Sequence, residues 1–158
     1  MLAEKQGTTV PLMIGHRITG VTLVSTGDFV ESRAHLDRAF SLYDPTERRV
    51  LATRFGQDPG VTILSFRSWA LWFLGYPEAA LTDAEQALQD AREIGQAATS
   101  IFALGVTAWT HIWCGNYAVA SSLADELVLL AGEKVPRGGR PSGRCCRLNF
   151  LCPPATLR

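Results

Sequence analysis

Along most of this chain apolar residues recur every three or four positions, the period of a helix with one face turned inward. From Leu12 to Thr26 that face carries Ile14, Ile18 and Val21, and from Val30 to Tyr43 it carries Leu36, Ala39, Phe40 and Tyr43. Asp44-Pro45 ends the second run, because a residue before proline is pushed out of the α region. A more polar stretch, 44–60, leaves room for a short helical turn around Val50–Phe55. It closes on Asp58-Pro59-Gly60, an N-cap followed by proline at the first helical position, where a missing N–H costs nothing. The helix so opened, Pro59–Leu74, is apolar nearly all round and has to be covered on both sides. Three more helices follow: Pro77–Ile94, with Leu81, Ala84, Leu88 and Ala91 inward and Gly95 as left-handed cap; Ala97–Cys114; and Ala118–Ala131, ended by Gly132.

A longer period lies over the helical one. Gly27, Gly75 and Gly115 each stand at a helix-to-helix turn, in Gly27-Asp28-Phe29, Gly75-Tyr76-Pro77 and Gly115-Asn116-Tyr117. Small residues hold the same offsets about them: Gly20, Ser68 and Ala108 seven before, and Ser32, Ala80 and Ala120 five after. Twelve after come Ala39, Ala87 and Leu127. Small side chains at fixed offsets mark places where helices approach closely. A hairpin repeated in this way buries its apolar faces against copies of itself, which predicts an all-α stack of about three antiparallel helical hairpins.

The pattern stops at residue 134. Residues 135–158 hold Pro136, Pro141, Pro153 and Pro154, three glycines and five arginines without one acid, and no helical period survives. The expected division is therefore a lead-in over 1–11, a repeat domain over 12–134 and an irregular, disordered tail over 135–158. A stacked array normally ends in a polar capping helix. The abrupt break is what a truncated piece, or a terminal segment foreign to the fold, would show.

The residues Gly20, Gly27-Asp28-Phe29, Ala39, Ala80, Ala87-Leu88, Gly115, Tyr117 and Ala120 resemble the tetratricopeptide (TPR) consensus over about residues 12–131, with Pro77 and Leu127 as departures. The resemblance implies a right-handed superhelical solenoid. More narrowly, Gly15-His16-Arg17, His35-Leu36, Tyr43-Asp44-Pro45, Arg54-Phe55-Gly56-Gln57-Asp58-Pro59-Gly60 and Leu74-Gly75-Tyr76-Pro77 look like the C-terminal TPR region of large bacterial signalling proteins. In those proteins a class III adenylate/guanylate cyclase or winged-helix DNA-binding domain precedes an AAA-type ATPase module and then the repeats. The resemblance implies the partner-binding or sensory arm, without its catalytic head.

Charge and composition add mostly exclusions. Fifteen basic and fifteen acidic residues leave a formal charge of zero, so no global field draws the chain to nucleic acid or to anionic lipid. The most apolar stretch, Val61–Tyr76, is interrupted by Arg67 and falls short of the roughly 20 residues that span a bilayer. With no export signal either, a cytoplasmic location is expected. There is no phosphate loop, no nucleophile elbow and no zinc-protease motif, so neither an enzymatic role nor a cofactor is expected for this chain. His16, His35 and His111 fall on three different predicted helices as packing or surface residues, and no metal site is expected. Cys114, Cys145, Cys146 and Cys152 lack zinc-ligand spacing, and the acids Asp83 and Glu85, like Asp125 and Glu126, are expected on solvated outer faces.

The tryptophans rise above this background. Trp69 and Trp109 each stand six residues before a hairpin glycine, with Trp72 and Trp113 close behind. Trp69, Trp72 and Phe73, and likewise Trp109, Ile112 and Trp113, have the i, i+3, i+4 relation that gathers side chains into one stripe. That stripe either packs into the core between hairpins or lines an inner groove for a protein or peptide partner, a sister domain or a small effector. In the first hairpin the equivalent positions are Val21, Val24 and Ser25, so an aromatic groove is expected on the second and third hairpins alone. Open stack ends also allow self-association.

Overall fold

A computed structural model describes residues 2–134. These form seven α-helices and no strand: α1 (Leu2–Thr26), α2 (Phe29–Ser41), α3 (Arg48–Phe55) after a 3₁₀ turn at Pro45–Glu47, α4 (Pro59–Phe73), α5 (Pro77–Ile94), α6 (Ala97–Trp113) and α7 (Tyr117–Lys134). Three hairpins result, α1/α2, α4/α5 and α6/α7. They adjoin through α2 on α4 and α5 on α6, and their leading helices touch in the order α1, α4, α6. The apolar helix α4 is covered by α1, α2, α3, α5 and α6.

The three hairpin turns are built alike. Gly27, Gly75 and Gly115 take φ of 89°, 87° and 79°, which a side chain would strain. The next residue's N–H then reaches back five positions, from Asp28 to Leu23 (3.0 Å), Tyr76 to Leu71 (2.9 Å) and Asn116 to His111 (2.8 Å). This is the Schellman cap, which satisfies carbonyls that a helix end leaves free. Gly95 closes α5 in the left-handed region as well.

The recurrent small residues sit where helices cross. Gly20, Ser32, Ser68, Ala80, Ala108 and Ala120 are all buried. A Cβ on Gly20 would stand 2.6 Å from Leu36 Cγ, so α1 and α2 meet there without room for a methyl group. Polar contacts exploit the proximity. Ser32 Oγ donates to the Gly20 carbonyl (2.8 Å) and Thr107 Oγ1 to the Ala84 carbonyl (3.0 Å), each hydroxyl bridging two helices.

The structure departs from the sequence expectations at several points. The first helix starts at Leu2, before the expected Leu12, and continues through Pro11, so the lead-in is helical from Leu2. Proline gives up one backbone hydrogen bond, and Val10, Met13 and Ile14, packed on the core beside it, hold that turn in place. Ile18 is 55% exposed, because Met13, Gly20 and Val24 define the inward face of α1 and Ile18 lies roughly opposite Gly20. Phe40 is likewise exposed and carries the Arg67 guanidinium 4.9 Å above its ring. Asp83, expected in solvent, is buried and takes a two-pronged bond from Arg67 (2.6 and 2.9 Å). Arg67 also reaches Asp37 at 3.0 Å, so the cation that interrupts the apolar stretch ties α2, α4 and α5 together. Gly132 lies inside α7, which runs on to Lys134. The tail expected over 135–158 lies outside the described residues.

Two glycines of α1 give opposite expectations. Nothing stands within 4 Å of a Cβ built on Gly15, so Gly15→Ala stabilises by about 0.5–1 kcal/mol through helix propensity. Gly20→Ala gains the same propensity but overpacks Leu36, at a typical cost of about 1–3 kcal/mol, and comes out destabilised. Urea unfolding midpoints of the two variants bracketing that of the parent check both signs.

Candidate functional site

The candidate site is carried by α4 and α6, whose mutual register is set at both ends by buried polar groups. At the N-terminal end the Asp58 carboxylate caps α4 by accepting from the Val61 N–H (2.9 Å). Its backbone N–H donates to Thr99 Oγ1 of α6 (3.1 Å), and that hydroxyl donates to Gln96, whose amide reaches the Ala52 carbonyl of α3 (3.2 Å). The Tyr43 hydroxyl donates to both Asp58 oxygens (3.1 and 3.0 Å). Its ring lies where a Cβ on Gly60 would be, 2.5 Å away, so Asp58-Pro59-Gly60 and Tyr43 interlock. At the other end Ser68 and Thr110 share a hydrogen bond of 3.3 Å between α4 and α6. Trp69 and Trp109 are the next residues toward and away from those hydroxyls in sequence, which places both indoles beside the fixed crossing.

The electrostatics of the Asp58 node follow from burial. At 1% exposure its carboxyl is pushed above the ordinary aspartate value by desolvation, against the bonds from Val61 and Tyr43. Desolvation and the Asp58 charge together push the Tyr43 phenol up, so it remains a donor. Burial lowers the Arg17 guanidinium, and the nearby Asp58 charge opposes that shift.

Five of the six sequence-nominated residues come together. Trp113 is the hub, with ring centroids 5.2 Å from Trp69, 5.1 Å from Trp72, 5.4 Å from Phe73 and 6.1 Å from Trp109. The sixth, Ile112, is half-buried and takes no part in these ring contacts. Phe29, at the first turn of α2, stacks on Phe73 at 4.3 Å. The ring cluster therefore reaches the first hairpin. Phe66 extends it the other way, between Trp69 (5.4 Å) and Phe102 (5.9 Å).

All four indoles are half-buried and Phe73 is 45% exposed, so the stripe is neither sealed core nor free surface. Beside it an open groove of about 500 Å³ is lined by Trp69, Phe102, Val106, Trp109 and Leu127, with Gln57 as a polar side chain of the lining. Trp69 Nε1 is buried without an acceptor among protein atoms. Phe66 and Phe102 stand seven residues before Phe73 and Trp109, on the same helical stripes, so spacing could have signalled both, whereas Phe29 and Gln57 join from other elements and carry no such signal.

Among the described residues that line the groove there is no acid, base or nucleophile. Burial raises the Cys114 thiol, opposed by a hydrogen bond with Trp72, so it stays protonated. His111 is buried and lowered by desolvation, partly offset by Glu85, and it stays neutral behind the Asn116 turn. Among the described residues no three His, Cys, Asp or Glu side chains gather as a metal cluster, although His16 and His35 meet between α1 and α2. Cys145, Cys146 and Cys152 lie outside the described residues. No described helix is long and apolar enough to cross a membrane. Compared with protein-family models, curated proteins and solved structures, the chain has no match.

Tyr43→Phe removes the hydroxyl donor from a buried carboxylate and is expected to cost about 1–3 kcal/mol at neutral pH. Because the folded-state pKa of Asp58 is raised, its contribution to stability grows as pH falls through that value, and losing the donor raises it further. The deficit of the variant therefore narrows on acidification into the carboxylate range. Urea unfolding of both proteins between about pH 7 and pH 4 measures it; a deficit constant across that range contradicts the assignment.

Proposed function

We propose that this chain is a TPR-like helical-repeat module, a right-handed superhelical stack of three hairpins, that binds a protein or peptide partner through its aromatic stripe. The observation that carries the reading is the half-buried cluster centred on Trp113, continuous across α4 and α6 and bordered by an open apolar groove. Aromatic side chains held against one another lose little freedom when a partner arrives, and such residues dominate binding energy at interfaces. By the family resemblance, the partner is a sister domain or a regulatory protein in a cytoplasmic signalling assembly. The parent would then be a cyclase or an ATPase-linked regulator. Exposed apolar residues on the terminal hairpins, Leu12 and Ile18 on α1 and Val119 and Leu129 on α7, also suit self-association.

A second reading is supported by the groove's volume. About 500 Å³ falls within the range of small-molecule sites, roughly 300–1,000 Å³, and Gln57 offers one polar contact in an apolar lining, which suits an aromatic or apolar effector.

Peptides selected from a random displayed library against the full chain are expected to carry apolar or aromatic residues at helical spacing. Trp109→Ala is expected to weaken their binding by about tenfold or more, the loss of one hot-spot residue, with far-ultraviolet circular dichroism unchanged. Equal binding by the variant, or loss of its helicity, defeats the groove reading in favour of a purely structural stripe. Quenching of indole fluorescence by a small aromatic metabolite, without peptide binding, supports the effector reading.

A further inference from the structure

We propose that His16 and His35 form a two-histidine clip for a late first-row divalent cation of the Zn²⁺, Ni²⁺ or Cu²⁺ class, joining α1 to α2. The two residues are 19 positions apart, yet their Nδ1 atoms lie 2.9 Å from each other, with ring centroids at 5.0 Å and planes inclined by 43°. Two features of the hairpin create this proximity. His16 lies one helical turn before Gly20, where α1 and α2 approach without a side chain between them, and His35 precedes Leu36, the residue that fills that space.

Two facing Nδ1 atoms can hold one proton between them, one ring donating and the other accepting. A cation can take that place once the donating ring moves its proton from Nδ1 to Nε2 through solvent, which frees both Nδ1 lone pairs and leaves both rings neutral. Metal–imidazole bonds of about 2.0–2.1 Å at an angle near 90–110° put two ligand nitrogens about 2.9–3.4 Å apart. The observed separation is at the short end of that range, but a centroid spacing of 5.0 Å means that the two Nδ1 atoms point at each other, so each ring must turn by about 35–45° to aim at a shared cation. Both side chains are half-buried, which leaves the pair reachable from solvent. Imidazole nitrogens select Zn²⁺, Ni²⁺ and Cu²⁺ over oxygen-seeking Mg²⁺ or Ca²⁺. Because no third protein ligand gathers among the described residues, water completes the coordination.

The test uses Ni²⁺ alone and the full 158-residue chain with Cys114, Cys145, Cys146 and Cys152 replaced by serine, so that thiols do not compete. Paramagnetic broadening is expected first at the His16 and His35 ring resonances, saturating at one equivalent, with a rise in the thermal midpoint that a chelator reverses. His16→Ala and His35→Ala should each weaken binding by about tenfold or more, the least expected for loss of a ligand, while His111→Ala leaves it unchanged. If an alanine variant is unfolded without metal, the glutamine variants His16→Gln and His35→Gln, which keep hydrogen-bonding capacity, replace it. Broadening that persists at other sites in the variants, or none at millimolar Ni²⁺, overturns the proposal.

Discussion

Close approach of helix backbones is the constraint on which the rest of this molecule depends. Helix axes separate according to the side chains at their contact, about 8–10 Å apart, and the smallest residues give the nearest crossings. Here Gly20, Ser32, Ser68, Ala80, Ala108 and Ala120 occupy those crossings. With only glycine, alanine or serine at the centre of a crossing, the bulk has to go to the flanks. That is where the aromatics are: Trp69 follows Ser68, and Trp109 follows Ala108. Indoles on neighbouring helices then meet at 5.1–5.2 Å because the backbones between them are near.

Proximity alone would leave the helices free to slide, since packing of small apolar residues is nearly indifferent to a shift of one turn. Buried polar groups remove that freedom. Asp58 joins Tyr43, Val61 and Thr99, and Ser68 joins Thr110, so sliding α6 along α4 would strand several donors and acceptors at once. Each stranded group costs about 1–3 kcal/mol, a large part of the net stability of a domain this size. Arg67 does the same between α2 and α5, with its charge met by Asp83 and Asp37. These networks are worth more as selectors of register than as sources of net stability, because their desolvation offsets much of their attraction.

Features that depend on a few adjacent residues were legible in the sequence. The Schellman glycines, the Asp58 cap and the left-handed Gly95 are set by local backbone chemistry, and the structure has each of them. What depended on the neighbour across a crossing was not legible. Asp83 has the polarity of a solvated residue, and only the position of Arg67 buries it. Ile18 fits an inward stripe by period, but Gly20 turns the face of α1 elsewhere. His16 and His35 carry no joint signal, because 19 residues and a helix reversal separate them.

The tryptophan stripe shows why spacing left its role open. An i, i+3, i+4 set marks one side of a helix and says nothing about how far the neighbouring helix overlaps it. In the structure the overlap is partial. Trp69 leans on the core shared by α1, α2 and α4 while its outer edge lines the groove, and Phe73 stays exposed although stacked on Phe29. Rings fixed on one side by other rings and open on the other lose almost nothing more when a partner covers them, and they gain the burial of their exposed area at about 25 cal/mol per Å². Sealed core would have nothing left to gain, and isolated surface rings would first have to be ordered, so partial overlap is the arrangement of the three that best suits adhesion.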